Sequence, residues 1–176
     1  AWLKLVDAEQ VSNAFVVPTM LSRIIHALDK GVHAGISSLR SIAYGGGKMP
    51  LELIHHALDL FPETGFTNAY GLTETSSTIA LLDPDDHRAA CVASDPALRA
   101  RLGSVGRALP TVEIAIRDEA GVPLPAGAAG LVFVRGDQVA AGINGILAFF
   151  VTFTQRDLRL HRGTQLVVGD DLVDRF

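Results

Sequence analysis

Three short apolar runs, at residues 15–17, 39–44 and 66–70, alternate with two segments whose apolar residues recur at helical spacing. That alternation restricts the fold more than any other feature of the chain. Leu21, Ile24, Ile25 and Leu28 follow the i, i+3, i+4, i+7 rule of one helix face, and Gly31 is a natural stop. Ile54, Ala57, Leu58 and Phe61 repeat the stripe, with Pro50 suited to a first helical position and Pro62 ending the segment. Strands joined by whole helices are the mark of parallel crossovers, so residues 14–82 are expected to form a parallel βαβαβ arrangement of the α/β class. The stretch from Lys4 to Gln10 reads as the end of a further helix.

The second half follows another rule. Residues 83–101 are polar, carry Pro84 and Pro96 among several charges, and are expected to be a long loop with one helical turn at most. Val112, Ile114 and Ile116 then alternate with Glu113, Ala115 and Arg117, the period-2 pattern of a half-buried strand. A connector rich in Gly and Pro leads to a second strand, Leu131 to Val134, and the pair predicts a hairpin or part of a small antiparallel barrel. The expected organisation is an α/β portion over 1–82, a connecting loop over 83–100 and a β-barrel portion over 101–142. The tail over 143–176 is apolar in its first part without a clear period, and no structure is assigned to it.

Composition narrows the classes of function. Fifteen Lys and Arg against nineteen Asp and Glu leave a net charge of -4, which argues against a dedicated nucleic-acid surface. With 48% hydrophobic and 19% charged residues, a packed core is affordable and wholesale disorder is excluded. The single cysteine, Cys91, cannot form an internal disulfide, which fits a cytoplasmic location. The most apolar stretch, residues 139–153, is shorter than the roughly 20 residues a spanning helix needs. No secretory pattern is seen at the first residues, so neither a membrane nor an export role is expected.

Two segments can carry chemistry, and both lie at the carboxyl end of an expected parallel strand, where open α/β sheets place ligands. In Asn68-Ala-Tyr-Gly-Leu-Thr-Glu-Thr75, Gly71 allows a tight turn and Tyr70 offers a flat face for a base. Thr73, Thr75, Ser76 and Ser77 offer hydroxyls, and Glu74 a hard oxygen suited to Mg²⁺. In the second segment Gly45, Gly46 and Gly47 permit positive φ and close approach of backbone to a ligand. The G-x-x-x-x-G-K-[ST] spacing of a P-loop is missing, and Lys48 follows directly. A plain structural corner would look the same in either place, so chemistry alone leaves both readings open.

Taken together with Phe15-Val-Val-Pro-Thr-Met20, Arg101-Leu-Gly-Ser-Val-Gly-Arg-Ala-Leu-Pro110 and Gly130-Leu-Val-Phe-Val-Arg-Gly136, these segments resemble successive motifs of the adenylate-forming enzymes. The nearest group is the acyl-CoA synthetases, or fatty-acid–CoA ligases, and the resemblance covers roughly residues 10 to 142. It implies that Tyr70 packs on adenine, Thr73 contacts the α-phosphate and Glu74 helps hold Mg²⁺. It also implies that Gly45, Gly46 and Gly47 line the pocket shared by adenine and the acyl group, with Asn68, Ala69 and Gly71 completing the nucleotide turn. The implied reaction joins a carboxylic or fatty acid to ATP, giving acyl-adenylate and pyrophosphate, and then forms a thioester with coenzyme A.

Some family features have no counterpart. The phosphate loop of the family is absent, and its ribose-binding aspartate is matched only by Asp170 in altered surroundings. The adenylating lysine has no match either, since Lys4, Lys30 and Lys48 all precede the Tyr-Gly-x-Thr-Glu turn. A central fragment of a synthetase, not competent alone and possessing a separately encoded remainder, is one expectation. A degenerate relative that binds nucleotide or a protein partner weakly is the other. The histidines lack the i, i+4 spacing with a companion Glu that zinc would need, Asp83, Asp85 and Asp86 lack the rest of a calcium loop, and Cys91 has no sequence neighbour to activate it.

Overall fold

A computed structural model of the chain describes residues 1–32 and 35–139, and the backbone alone of 146–154 and 158–159. The chain builds two units. One comprises Ala1–Ala69 with Leu82–Gly103, the other Tyr70–Leu81 with Ser104–Phe176.

The first unit runs α1 (Trp2–Ala8), β1 (Asn13–Val16), α2 (Pro18–Asp29), β2 (Ser41–Gly45), α3 (Leu51–Leu60) and β3 (Gly65–Leu72). The three strands are parallel and in chain order, with Val16 beside Tyr44 and Tyr44 beside Asn68. The expected βαβαβ arrangement is what the chain adopts. Pro18 occupies the first turn of α2, where its missing N–H removes nothing and its fixed φ suits a helix. The apolar stripes of α2 and α3 bury Leu21, Ile24, Ile25, Ile54, Ala57 and Leu58 against Val16, Ile42, Tyr44 and Phe66. Each aliphatic or aromatic side chain so covered contributes about 1.5–3 kcal/mol, which fixes which face of the sheet the helices take.

Residues 83–101, expected as a loop, are mostly helical. α4 (Pro84–Val92) is followed by a single turn, α5 (Pro96–Arg99), and a 3₁₀ segment, Ala100–Gly103. The reason lies in the two Asp-Pro pairs. Asp83 Oδ1 accepts a hydrogen bond from the Asp86 amide at 2.7 Å, and Asp95 Oδ1 accepts one from the Ala97 amide at 2.9 Å. Each aspartate is an N-cap and each proline a first helical residue, so prolines read as breakers are starters here. The core face of α4 contains only Asp86, His87 and Ala90, too few apolar residues to leave a stripe in the sequence. Arg88 locks α4 to the end of α3: Nη1 donates to the Leu58 carbonyl at 3.0 Å, and Nη2 donates to those of Phe61 and Thr64 at 2.8 and 2.9 Å.

The second unit begins with the last residues of β3 and continues into β4 (Ser77–Leu82). β5 (Gly106–Ala108) lies antiparallel to β4. β6 (Glu113–Arg117), β7 (Ala129–Arg135) and β8 (Ile146–Thr154) form a separate antiparallel sheet, and β9 (Leu158–Arg159) runs parallel to β5. The β6–β7 pair is the hairpin that the alternation predicts. Val112, Ile114, Ile116, Val132 and Val134 join Ile79 and Ala80 in one core. Alternation would leave Arg117 in water, yet it is buried. Its guanidinium lies 5.5 Å from the Phe133 ring centroid, and Nη1 donates to the Gly121 carbonyl at 2.8 Å. β8 falls in the stretch to which the sequence assigns no structure; its backbone pairs with β7 from Ile146 to Thr154.

Candidate functional site

In the first unit, Gly45 ends β2 opposite Ala69 of β3. A Cβ at Gly45 would overlap the Ala69 carbonyl oxygen and stand 3.4 Å from the Phe15 ring, so only glycine fits between these strands. Gly46 has φ +73, the left-handed region that glycine enters without strain. Gly47 is different, with nothing nearer to an added Cβ than Pro18 at 3.8 Å. The turn is therefore specified by its first two glycines, and Gly46 and Gly47 are exposed at the strand's carboxyl end. Asn68 and Ala69 are half-buried on the neighbouring strand.

Beneath the turn, Tyr44 is fully buried and its hydroxyl lies 2.8 Å from His87 Nε2. His87 Nδ1 lies 2.7 Å from the Asp83 carbonyl. A carbonyl only accepts, so Nδ1 carries the hydrogen and Nε2 accepts from the tyrosine hydroxyl. Burial pushes the Tyr44 phenol well above its ordinary value of 10.0 and holds the His87 imidazole below its ordinary 6.5. A cleft of about 590 Å³ opens where the first turns of α2 and α3 converge, bordered by Thr19, Ser22, Lys48, Glu52, Leu53 and His56. None of the site residues singled out in the sequence borders it, although Pro18, the first residue of α2, and Pro50, which caps α3 instead of opening it as expected, mark its place.

In the second unit, Tyr70 packs against the core of the β6–β7 sheet, and burial pushes its phenol up to about 12. The residue as a whole is partly exposed, while its hydroxyl oxygen is buried. Gly71 is obligatory, because a Cβ there would overlap the Ser77 carbonyl. Thr73–Thr75 forms one 3₁₀ turn, closed by Ser76 in the left-handed region at φ +49. Thr75 is not available to a ligand: it is fully buried, and its Oγ1 lies 2.9 Å from the Leu72 amide and 2.8 Å from the Ser77 carbonyl. Gln138 Nε2 ties the turn down by donating to the carbonyls of Thr75 and Thr78 at 2.9 and 2.8 Å. The result is a braced corner from which Thr73 and Glu74 project into solvent, a hydroxyl and a carboxylate side by side in sequence.

The structure corrects two expectations. His87, placed in a loop by the sequence, is buried on α4. Cys91 does have a partner brought by the fold, since His55 Nδ1 on α3 lies 3.5 Å from its sulfur. Asp170 lies outside the described residues. Among the described residues, no group of three or more His, Cys, Asp or Glu could hold a metal by itself, and no helix is long and apolar enough to cross a membrane. A divalent ion at Glu74 would therefore take most of its ligands from phosphate and water, as Mg²⁺ commonly does.

Against known proteins, the AMP-binding enzyme family matches residues 1–143. A feruloyl-CoA synthase from Amycolatopsis sp is 32% identical over 145 residues, covering 82% of this chain and 27% of the relative. The amide bond synthetase McbA from Marinactinospora thermotolerans superposes with a TM-score of 0.69 at 30% identity, over 83% of this chain and 30% of that one. The O-succinylbenzoate coenzyme A synthetase MenE from Bacillus subtilis, solved in complex with ATP and magnesium ion, gives a TM-score of 0.64 at 26% identity, with the same coverage of both chains. The chain thus spans roughly a quarter of the curated relative's length.

Proposed function

The chain belongs to the AMP-binding enzyme family, and from that premise we propose that it is a central segment of an ATP-dependent acid–CoA ligase, carrying part of the nucleotide site. The observation that carries this reading is the braced corner at residues 70–77. A turn held by Thr75, Gly71 and Gln138 presents Thr73 and Glu74 to solvent at a fixed place after a strand. In this reading the Thr73 hydroxyl donates to the α-phosphate, Glu74 holds Mg²⁺, Tyr70 stacks on adenine, and Asn68, Ala69 and Gly71 line the base from β3. Gly45, Gly46 and Gly47 give the acyl-adenylate close access to backbone. The magnesium, when bound, would offset charge on the phosphates during adenylation. The names of the relatives point to an aromatic carboxylic acid as the substrate class rather than a fatty acid.

One observation favours a non-catalytic role for this polypeptide by itself. Its only lysines are Lys4, Lys30 and Lys48, all before the Tyr-Gly-x-Thr-Glu turn. Adenylation needs positive charge placed where negative charge develops, and removing one such donor costs about 10²–10³ in rate. Calorimetric titration with AMP and with ATP plus Mg²⁺ tests the site: weak binding is expected that fades in Glu74→Ala and in Tyr70→Ala. Affinity unchanged in the double variant would place the nucleotide elsewhere.

A further inference from the structure

We propose that His87 is a positioning residue for the glycine turn, acting through Tyr44, and that protonation of its imidazole loosens residues 45–47. The argument is geometric. Tyr44 is the last residue of β2 with a side chain before the three glycines, and its buried side chain anchors that end of the strand. Its hydroxyl is held at 2.8 Å by His87 Nε2, and the two rings meet edge to face with centroids 5.6 Å apart. His87 is held in turn by the Asp83 carbonyl, at the capped start of α4. Both ring nitrogens are engaged, one donating and one accepting. Placing a second hydrogen, on Nε2, turns the acceptor facing Tyr44 into a donor, and the buried tyrosine hydrogen must then find another acceptor. Either the Tyr44 side chain retracts or α4 shifts. A methyl on Gly45 would already overlap the Ala69 carbonyl oxygen and stand 3.4 Å from the Phe15 ring, so this end of the strand is closely flanked where the movement arrives.

The surroundings favour the neutral ring. Burial opposes the charged form most strongly, and Arg88 adds to it; the Asp83 carbonyl bond and the charges of Asp83 and Asp86 oppose these but do not outweigh them. On the other elements against α4, His55 of α3 meets Cys91 further along the helix, His56 pairs with Asp29, and Glu52 and Asp59 are exposed. The segment after α4 contributes Asp95, Arg99 and Arg101, and Tyr44 is the titratable group facing Nε2 from β2. The device would make nucleotide affinity fall with acidity, a consequence that rests on the function proposed above. The positioning claim itself needs no ligand.

The test is a nitrogen–proton NMR titration of the full chain from about pH 8 to about pH 5, with the His87 ring followed in parallel. In wild type the amide signals of Gly45, Gly46 and Gly47 are expected to move with the imidazole, at a midpoint below 6.5. In His87→Gln they should stay put. In Tyr44→Phe, which keeps the aromatic volume, the ring should still titrate while the glycines no longer follow it. Glycine signals that ignore the ring in wild type, or move equally in both variants, overturn the proposal. So does simultaneous loss of the signals of Leu21, Ile54 and Phe66, which would mean that the unit unfolds rather than the turn loosening. If either variant fails to fold, the other and the wild-type titration still decide. Failure of AMP to bind at any pH would count against the nucleotide reading and leave this result standing.

Discussion

Single residues in this chain divide sharply between those with no freedom and those with ample freedom. Gly45 and Gly47 are two positions apart and identical in composition, yet an added methyl meets a backbone carbonyl at one and only the rim of Pro18 at the other. Gly45→Ala is expected to lower stability by about 3 kcal/mol, because backbone of two paired strands must move. Gly47→Ala should change it by less than about 1 kcal/mol, in the stabilising direction, since the unfolded chain loses freedom. Urea denaturation of both variants checks the contrast, and equal losses would contradict it. His87 sets a pH dependence at the same scale. Unfolded, its imidazole takes a proton near pH 6.5; folded, it resists protonation below that value, so the unfolded state binds more protons in the interval between. Stability should therefore be fully present above about pH 7 and decline as pH falls through 6.5 towards the folded value. In His87→Gln the part of this decline due to the imidazole should vanish, as thermal melts at a series of pH values will show.

Among the elements, α4 owes its place to polar contacts more than to apolar area. Its buried face is one histidine, one aspartate and one alanine, and Arg88 ties it to the end of α3 through a guanidinium shared among three carbonyls. Such charge-assisted bonds are worth about 1.5–3 kcal/mol where losing the donor strands an acceptor. Arg88→Ala is expected to cost about 2–3 kcal/mol, and Arg88→Lys to recover less than half, because an ammonium cannot fork to three oxygens. Denaturation midpoints of the two variants measure this. The β6–β7 hairpin is built the other way, on alternating Val and Ile, and its position was plain in the sequence for that reason.

For the whole molecule, the consequence is that ligand contacts and turnover should separate. Thr73 and Glu74 are exposed on a braced corner, and the lysines of residues 1–176, at positions 4, 30 and 48, all precede it, so on the function proposed above this stretch by itself should bind nucleotide without compensating the charge that develops during adenylation. Purified chain given ATP, Mg²⁺ and a panel of aryl and fatty acids is expected to release pyrophosphate at least about 10³-fold more slowly than a complete synthetase. Comparable turnover, abolished by Glu74→Ala, would overturn the reading of the chain as a partial site.

Periodicity and punctuation determined the parallel strands, the two striped helices and the hairpin. Those patterns are local consequences of burying one face, and they survive in a single sequence. Motif residues at strand ends marked the two corners on the same ground. What the sequence could not show was which partner, near or distant along the chain, each polar side chain takes. Asp83 read as part of an acidic turn until its carboxylate closes the start of α4, and Cys91 read as solitary until α3 and α4 set it beside His55. Thr75 counted as one more available hydroxyl until the turn consumed it, and Arg117 as a surface charge until Phe133 and the Gly121 carbonyl enclosed it. The Tyr44–His87 pair spans 43 residues and carries no periodic signature at all. A polar side chain declares its role only through the partner that satisfies it, and only the tertiary structure chooses that partner.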